Sequence, residues 1–129
     1  MIGKRLCCIR GATCSKNNKE DIIKNIEALF RILIAENSLR TEDFVSIQFT
    51  MTDDLDTFNA AAALRRSDIG IDVSSVPLFC SQEPKIKNML PFVIRTMLTV
   101  YMDEGRAVHH AYMNGAECLR PDLATASVQ

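Results

Sequence analysis

The sequence predicts an α+β fold in which two helices cover one face of a mixed β-sheet. A long segment near the N-terminus has apolar residues at helical spacing, and a shorter alanine-rich segment favours a second helix. The remaining apolar segments are β-branched or alternate with polar residues, which favours strands. The predicted order is β-α-β-α-β-β-β-β. Because it has no repeat and no internal linker, we expect a single domain over residues 1–129, with a loose tail after about residue 121.

The N-terminal third is predicted to form a strand followed by the long helix. The strand runs from Arg5 to Arg10 and is expected to stop at Gly11. The helix runs from Lys19 to Glu36, with Asn18 as its expected N-cap and acidic residues in its first turn. The apolar residues that share one helical face are Ile22, Ile23, Ile26, Leu29, Phe30, Leu33 and Ile34.

The middle of the chain is predicted to contain two strands separated by the second helix. Residues 43–51 alternate between apolar and polar, so we expect a half-buried strand with Val45 facing the core. The alanine-rich segment favours a helix near residues 58–66. A third strand over residues 73–81 carries Cys80 at its end.

The C-terminal third is predicted to consist of strands. Residues 92–102 are rich in β-branched residues and favour a strand, although a helix is possible for so apolar a segment. The Asn114–Gly115 pair is a turn signal that predicts a hairpin between the last two strands. Two helices on one face leave the other face of the sheet uncovered, and small domains of this kind commonly cover it by oligomerising.

Composition and charge argue against several classes of function. The net charge of −1, with 47% apolar residues, gives no electrostatic case for binding nucleic acid or an anionic membrane. The five cysteines form no CxxC pair and follow no secretory signal, which fits reduced thiols in the cytoplasm. The two histidines, His109 and His110, are adjacent, and no cysteine lies at ligand spacing. We therefore expect no metal and no cofactor.

Arg95 interrupts the apolar segment of residues 92–102 and is the first candidate for a functional residue. The pattern fits an arginine that reaches water from the polar face of a strand, and it also fits one that faces an anionic ligand. Arg10 and Arg120 close apolar segments in the same way, and each alone also fits a solvated strand end. Together the three arginines indicate a ligand with more than one carboxylate or phosphate.

Cys80 and Glu83 lie three residues apart at the end of the third predicted strand. Cys80 has no evident partner base and fits an inert buried residue as well as a nucleophile. Glu83 could cap the following turn, and Tyr112 fits a packing residue with a satisfied hydroxyl. The sequence has no glycine-rich phosphate loop and no serine-hydrolase elbow. The set can bind and polarise an anion but has little equipment for covalent chemistry.

Six short segments occur along the chain in an order and at spacings typical of one known family. They are IRGAT (Ile9–Thr13), TDDL with the following AAALR (Thr52–Arg65), VPLFCSQE (Val76–Glu83), IRTMLTV (Ile94–Val100), HHAYM (His109–Met113) and LRPDL (Leu119–Leu123). In this order they resemble the trimeric α+β class of chorismate mutase. The resemblance covers essentially the whole chain.

The resemblance implies a homotrimer with a barrel-like β core, helices outside and active sites in the clefts between neighbouring subunits. The implied reaction is the Claisen rearrangement of chorismate to prephenate, on the route to phenylalanine and tyrosine. This pericyclic step needs no nucleophile, metal or cofactor, in agreement with the residues noted above. Two alternatives are a trimeric carboxylate-binding or imine-deaminating protein of similar architecture, and a weakly active paralogue.

The resemblance also implies a role for each candidate residue. Arg95 matches the position that donates to the ether oxygen of the breaking bond. Glu83 and Cys80 match the pair near the ring hydroxyl, with Cys80 as a polar wall rather than a nucleophile. Arg10 and Tyr112 match the positions that hold the enolpyruvyl carboxylate.

Further substrate-binding positions are implied towards the rim of the cleft. Arg120, on the C-terminal segment, and Arg65 match positions that attract or cover the ring carboxylate. Leu119 and Phe79 are also expected to contact the substrate.

The sequence departs from the family in the segment that supplies an aromatic wall. Asn59 stands where the family usually has the phenylalanine of FPA, and Ala60 replaces the proline that follows. Ala62 stands where some members carry a lysine. After a shift of one residue, Phe58 could supply the aromatic wall, and Asn59 is kept among the expected substrate-binding positions.

Overall fold

The computed structural model describes residues 3–123 as one mixed β-sheet with two helices. The strands are β1 (Lys4–Cys14), β2 (Phe44–Met51), β3 (Leu78–Gln82), β4 (Val93–Asp103) and β5 (Ala111–Met113). The helices are α1 (Lys19–Asn37) and α2 (Ala60–Arg65). In the order β3-β2-β4-β1-β5, β4 is antiparallel to both neighbours and each outer strand is parallel to its neighbour. The predicted α+β class is confirmed.

The long helix α1 begins and ends close to the predicted positions. The Asn18 side-chain oxygen accepts a hydrogen bond from the backbone N–H of Asp21 at 2.8 Å, so the predicted N-cap is confirmed. Ser38 follows the last turn with a φ of 51° and ends the helix. The buried apolar residues of α1 are Ile22, Ile26, Leu29, Phe30 and Leu33. Neither helix of the described chain is long and apolar enough to cross a membrane.

Strand β1 continues through Gly11 to residue 14, so the predicted stop at Gly11 is wrong. A Cβ added at Gly11 would lie 3.0 Å from Cδ1 of Leu33 and 3.0 Å from Cγ2 of Thr96. Gly11 therefore permits the close approach of α1 to the sheet rather than a turn. The longer strand extends the pairing with β4 past Arg10.

The central strands β2 and β4 form the core of the sheet. The apolar segment around Arg95 is a strand and not a helix, as its β-branched content favoured. In β2, a register shift between Phe44 and Ser46 interrupts the alternation. Val45 is consequently 40% exposed, which corrects the expectation that it faces the core, whereas Ile47 is buried.

Strand β3 and helix α2 are both shorter than predicted. Val73 and Val76 lie in the segment before β3, where they are buried in the core without strand pairing. Helix α2 begins after Asn59, whose side-chain oxygen accepts a hydrogen bond from the N–H of Ala61 at 2.8 Å. Asn59 is therefore an N-cap, a role that its residue type favours.

The predicted C-terminal hairpin is wrong, and the described sheet has five strands rather than six. Asn114 and Gly115 have φ values of 53° and 97°, so the chain does turn there. The turn leads into a short 3₁₀ helix, Ala116–Leu119, while β5 pairs in parallel with β1. A second 3₁₀ turn, Pro121–Leu123, follows. The remainder of the tail that was predicted to be loose lies outside the described residues.

The two faces of the sheet have different surroundings. Helices α1 and α2 pack on one face, where the strands contribute the main apolar core. The opposite face, called the outer face below, is covered by neither helix. Large apolar side chains are exposed on it: Leu6, Phe79, Met97 and Tyr101, with exposures between 41% and 69%.

Candidate active site

A depression of about 310 Å³ opens on the outer face of the sheet. Its walls come from β1, β2, β4 and β5, and from the segments that follow β3 and the 3₁₀ helix Ala116–Leu119. The lining residues are Arg10, Gly11, Gln48, Phe49, Thr50, Glu83, Arg95, Thr96, Met97, Tyr112 and Arg120. We call it the arginine depression. Five of the residues singled out from the sequence meet in it.

Arg95 and Glu83 form the centre of the arginine depression. The Nε atom of Arg95 lies 3.3 Å from Oε1 of Glu83, and the Thr50 hydroxyl donates to the same oxygen at 3.2 Å. The side chain of Glu83 is 12% exposed and that of Arg95 is 43% exposed. Because the ion pair is made through Nε, the terminal N–H groups of the guanidinium remain able to donate to an anion.

Strand register places Arg95 and Tyr112 in one row across the outer face. Ala12 of β1 pairs with Arg95 of β4 on one side and with Tyr112 of β5 on the other. Residues that face each other in paired strands share a face of the sheet, so all three side chains point outwards. Arg10 lies two residues before Ala12 on β1 and therefore points to the same face.

Arg120 reaches the depression from the C-terminal segment and not from a strand. Its guanidinium donates two hydrogen bonds to the carboxylate of Asp122, at 3.0 Å from Nε and 2.7 Å from a terminal nitrogen. These bonds lower the pKa of Asp122 below its usual range. Leu119, just before Arg120, packs against the small cluster of Ala12, Tyr112 and Ala116, which holds this segment on the sheet.

The lining of the arginine depression determines what it can bind. Three guanidinium groups and one carboxylate line it, so it favours a ligand with more than one negative charge. Among the described residues, no cluster of three metal-ligating side chains occurs. The depression is equipped to bind an anion and to stabilise negative charge that develops during a reaction.

A second depression, of about 560 Å³, lies beside the N-terminus of α2, and Cys80 and Asn59 line it. We call it the α2 depression. Cys80 points away from the outer face because β2 pairs it with the buried Phe49. Burial raises the pKa of the Cys80 thiol, against the opposing effect of the Ala60 and Ala61 N–H groups. Cys80 is therefore a neutral thiol near pH 7 and not an activated nucleophile.

The other residues expected at the rim lie at the surface around α2 and β3. Phe79 is 69% exposed on the outer face. Arg65 is exposed in the last turn of α2. Phe58 lines the α2 depression, and its ring is contacted by the Lys19 ammonium and the Arg66 guanidinium, each 5.3 Å from the ring centroid. Phe58 is thus an aromatic side chain in the lining of the α2 depression, beside Asn59.

Within one chain, Cys80 and Glu83 lie on opposite faces of the sheet, so the pairing near one ring hydroxyl that the resemblance implies is not made inside a single chain. Glu83 lies in the arginine depression, whereas Cys80 points to the helix-covered side of the sheet. Alternation along an extended segment explains this, because residues three apart point to opposite faces. Sequence reasoning also missed Thr50, although its place among the polar residues of an alternating strand was an available signal.

The fold and the arginine depression together define an α+β protein with an arginine-lined depression suited to a multiply charged anion. The chain belongs to the chorismate mutase type I family, whose sequence profile matches residues 6–123. This match confirms the resemblance drawn from the six sequence segments.

Two individual matches, one to a protein sequence and one to a solved structure, are also named chorismate mutases. The chain is 32% identical over 121 residues to chorismate mutase AroH of Thermus thermophilus, an alignment that covers 92% of this chain and 96% of that protein. It superposes on the structure of a chorismate mutase from Clostridium thermocellum with a TM-score of 0.77 and 32% identity, covering 87% of this chain and 98% of that one. Neither match favours the carboxylate-binding or imine-deaminating alternative.

Proposed function

We propose that this protein catalyses the Claisen rearrangement of chorismate to prephenate, on the route to phenylalanine and tyrosine. The observation that carries the proposal is the Arg95–Glu83 pair in a depression lined by three arginines. Such a lining suits a substrate that carries two carboxylates and an ether oxygen between them. Membership of the chorismate mutase type I family supports the same reaction.

Arg95 is assigned the catalytic role. As the C–O bond breaks and the new C–C bond forms, the ether oxygen gains partial negative charge. An N–H group of Arg95 donates to this oxygen, and the hydrogen bond strengthens as the charge grows. Because the stabilisation is larger in the transition state than in the bound substrate, it lowers the barrier. Glu83 orients the guanidinium through their 3.3 Å contact and accepts a hydrogen bond from the ring hydroxyl.

The other lining residues hold the substrate in its reactive conformation. Arg10 and Tyr112 bind the enolpyruvyl carboxylate, and Arg120 binds the ring carboxylate. Fixing both charged ends keeps the two reacting carbons close together, so that less conformational freedom is lost on the way to the transition state. No step in this scheme requires a cofactor.

We further propose that the protein acts as a homotrimer with a barrel-like core of sheets and with each active site between two subunits. Three exposed apolar side chains of the outer face, Leu6, Met97 and Tyr101, support contact with a second copy. A neighbour that brings its α2 depression over the arginine depression would supply Cys80 and Asn59 as a second wall. Arg65 and Phe79 of that neighbour would then lie at the rim.

The proposed compartment is the cytoplasm. The five cysteines are free thiols in the structure, as expected for a protein kept in a reducing environment. We propose no nucleic-acid or membrane partner.

The proposed activity is tested by incubating the purified protein with chorismate and following the loss of the diene absorbance. Formation of prephenate faster than in buffer alone is the expected result. A rate equal to that of the uncatalysed reaction would contradict the proposal, and a rate only slightly above it would indicate the weakly active paralogue. The Arg31→Ala variant, which changes an exposed arginine of α1, is the control for preparation and folding.

A further inference from the structure

His110 lies beside the arginine depression, and the mechanism above gives it no role. It directly precedes β5, and its Nδ1 atom accepts a hydrogen bond from the backbone N–H of Arg10 at 2.9 Å. Backbone pairing between β1 and β5 begins one residue later, with Gly11 opposite Ala111. The imidazole therefore supplies an additional link between the two strands at the residue that carries a substrate-binding guanidinium.

We propose that His110 is a positioning residue for Arg10, which its neutral imidazole holds in place through the backbone N–H. The role follows from the proposed function, because Arg10 is assigned to a substrate carboxylate. The same bond anchors the start of β5, two residues before Tyr112, the second residue assigned to that carboxylate. His110 thus acts on the substrate through Arg10 and Tyr112 and not by contact.

The direction of the hydrogen bond fixes the required form of the imidazole. Since Nδ1 accepts from the Arg10 N–H, the proton of the neutral ring resides on Nε2. Protonation at Nδ1 turns the acceptor into a donor and breaks the bond. Only the neutral ring can therefore hold Arg10.

The charged groups around His110 favour this neutral form. Arg10 faces it from β1 and Arg120 from the C-terminal segment, while His109 is its neighbour in the chain. Arg120 is itself hydrogen-bonded to the carboxylate of Asp122. Burial, followed by the positive charges of Arg10 and Arg120, lowers the pKa of His110 from its ordinary value of 6.5.

The pH dependence follows from this lowered pKa. Between 6.5 and the folded-state pKa, the unfolded chain binds the proton more readily than the folded protein, so stability falls as the pH drops. As the pH falls further, through the folded-state pKa, His110 becomes charged and Arg10 is released. Because Arg10 is assigned to binding a substrate carboxylate, its release should weaken binding, so the acid loss is expected in kcat/KM, which reports the free enzyme.

Two substitutions separate positioning from a general structural role. His110→Ala removes the acceptor, whereas His110→Asn places an amide oxygen near the position of Nδ1 and does not titrate. We expect His110→Ala to lower kcat/KM about tenfold at pH 7.5, the upper range for one hydrogen bond. The loss should lie in KM, because Arg10 holds a carboxylate that is charged in both substrate and transition state. His109→Ala, which removes the exposed neighbouring ring, is the matched control.

The same bond is measurable without activity, from the amide resonance of Arg10 in ¹⁵N-labelled protein. Its chemical shift should titrate with the His110 ring in the wild-type protein and in His109→Ala, and should not titrate in His110→Asn. This readout stands even if chorismate proves not to be the substrate, so a failure of the proposed function and a failure of the positioning role are distinguishable.

We expect His110→Ala to lower kcat/KM through a higher KM. We expect His110→Asn to keep kcat/KM near the wild-type value and to lack the fall of kcat/KM at acid pH. Wild-type kcat/KM in His110→Ala would overturn the inference. A fall of kcat/KM at acid pH that persists in His110→Asn would overturn it as well. So would an Arg10 amide chemical shift that does not change as His110 titrates.

Discussion

The arginine depression and the α2 depression differ in charge, in construction and in the side of the sheet that each occupies. The first holds the Arg95–Glu83 pair on the outer face, with Arg95 on the paired strand β4 and Glu83 directly after β3. The second holds the neutral Cys80 and the capping Asn59, carried by a five-residue edge strand and the start of a six-residue helix. The arginine depression concentrates three guanidinium groups, whereas the charged side chains in the lining of the α2 depression are two carboxylates, Asp53 and Asp56, which are held by Lys85 and Asn17.

This difference indicates how the catalytic work is divided. Groups that must stabilise developing charge need to be held rigidly, and the paired strands β1 and β4 provide that support. A wall that only limits the motion of the substrate tolerates more variation, which fits the departure from the family at Asn59. Since the two depressions open on different sides of one chain, the proposed site with both walls would need a second copy of the chain.

The largest effect is predicted for Arg95→Ala. Loss of the donor to the ether oxygen should lower kcat by about 10³-fold, as expected when one transition-state donor is removed from an active site. Arg95→Lys retains the charge but not the fork of donors, so it should recover only part of the loss. Steady-state kinetics with chorismate measures both variants, with Arg31→Ala as the control, and full turnover in Arg95→Ala would refute the assigned mechanism.

A smaller loss is predicted for Glu83→Gln. Glutamine keeps the size of the side chain and an oxygen that can accept from the Thr50 hydroxyl, but it removes the charge that pairs with Arg95. We expect kcat/KM to fall by about 10- to 100-fold, as Arg95 becomes less well oriented. Thr50→Val, which deletes the supporting hydroxyl, should show a milder loss in the same direction. Unchanged kinetics in Glu83→Gln would show that Arg95 is held by other contacts.

Cys80→Ala should reduce kcat/KM by less than about tenfold, the range expected for the loss of one neutral polar contact. The Cys80 thiol has a raised pKa because of burial and is not assigned to any bond-making step. Cys80→Ser, measured in parallel, keeps a polar group and should lie closer to the wild type. A loss of several orders of magnitude in both variants would instead indicate that Cys80 participates covalently. Both depressions would then carry catalytic groups.

The smallest effect on turnover is predicted for Asn59→Ala. Removal of the cap leaves the Ala61 N–H without its partner and should lower the free energy of unfolding by about 1 kcal/mol. Asn59→Asp preserves an acceptor at the cap and serves as the matched control. Urea denaturation measures the stability, and kcat/KM should stay within about threefold of wild type because the cap does not contact the reacting atoms. A large kinetic loss without loss of stability would assign Asn59 directly to the substrate.

Features encoded in local pattern were predictable from the sequence. The periodicity of α1, its cap at Asn18 and the strand character of the segment around Arg95 all depend on neighbours in the chain. The prediction that β1 stops at Gly11 was wrong because the glycine is required by a contact that is distant in sequence, the approach of Leu33 from α1. The turn at Asn114 was recognised, but a turn signal does not specify whether a strand or a 3₁₀ helix follows.

The candidate residues of the site were identified from motifs, whereas their arrangement was not. Arg10, Arg95 and Tyr112 meet through the register of three strands, and β5, which carries Tyr112, is only three residues long and pairs in parallel with a strand far away in sequence. No local pattern encodes that pairing. The separation of Cys80 from Glu83, in contrast, follows from strand alternation alone.

The most direct test of the division between the two depressions mixes two inactive variants. Arg95→Ala disables the arginine depression, and the double variant Cys80→Asp/Arg65→Glu places two negative charges around the α2 depression to repel a dianionic substrate. Each variant alone should be inactive. If sites form between copies, denaturing the two together and refolding them should restore about one quarter of wild-type turnover, because one in four interfaces then combines two intact halves. No recovery in mixed oligomers would contradict the account and place the whole site within one chain.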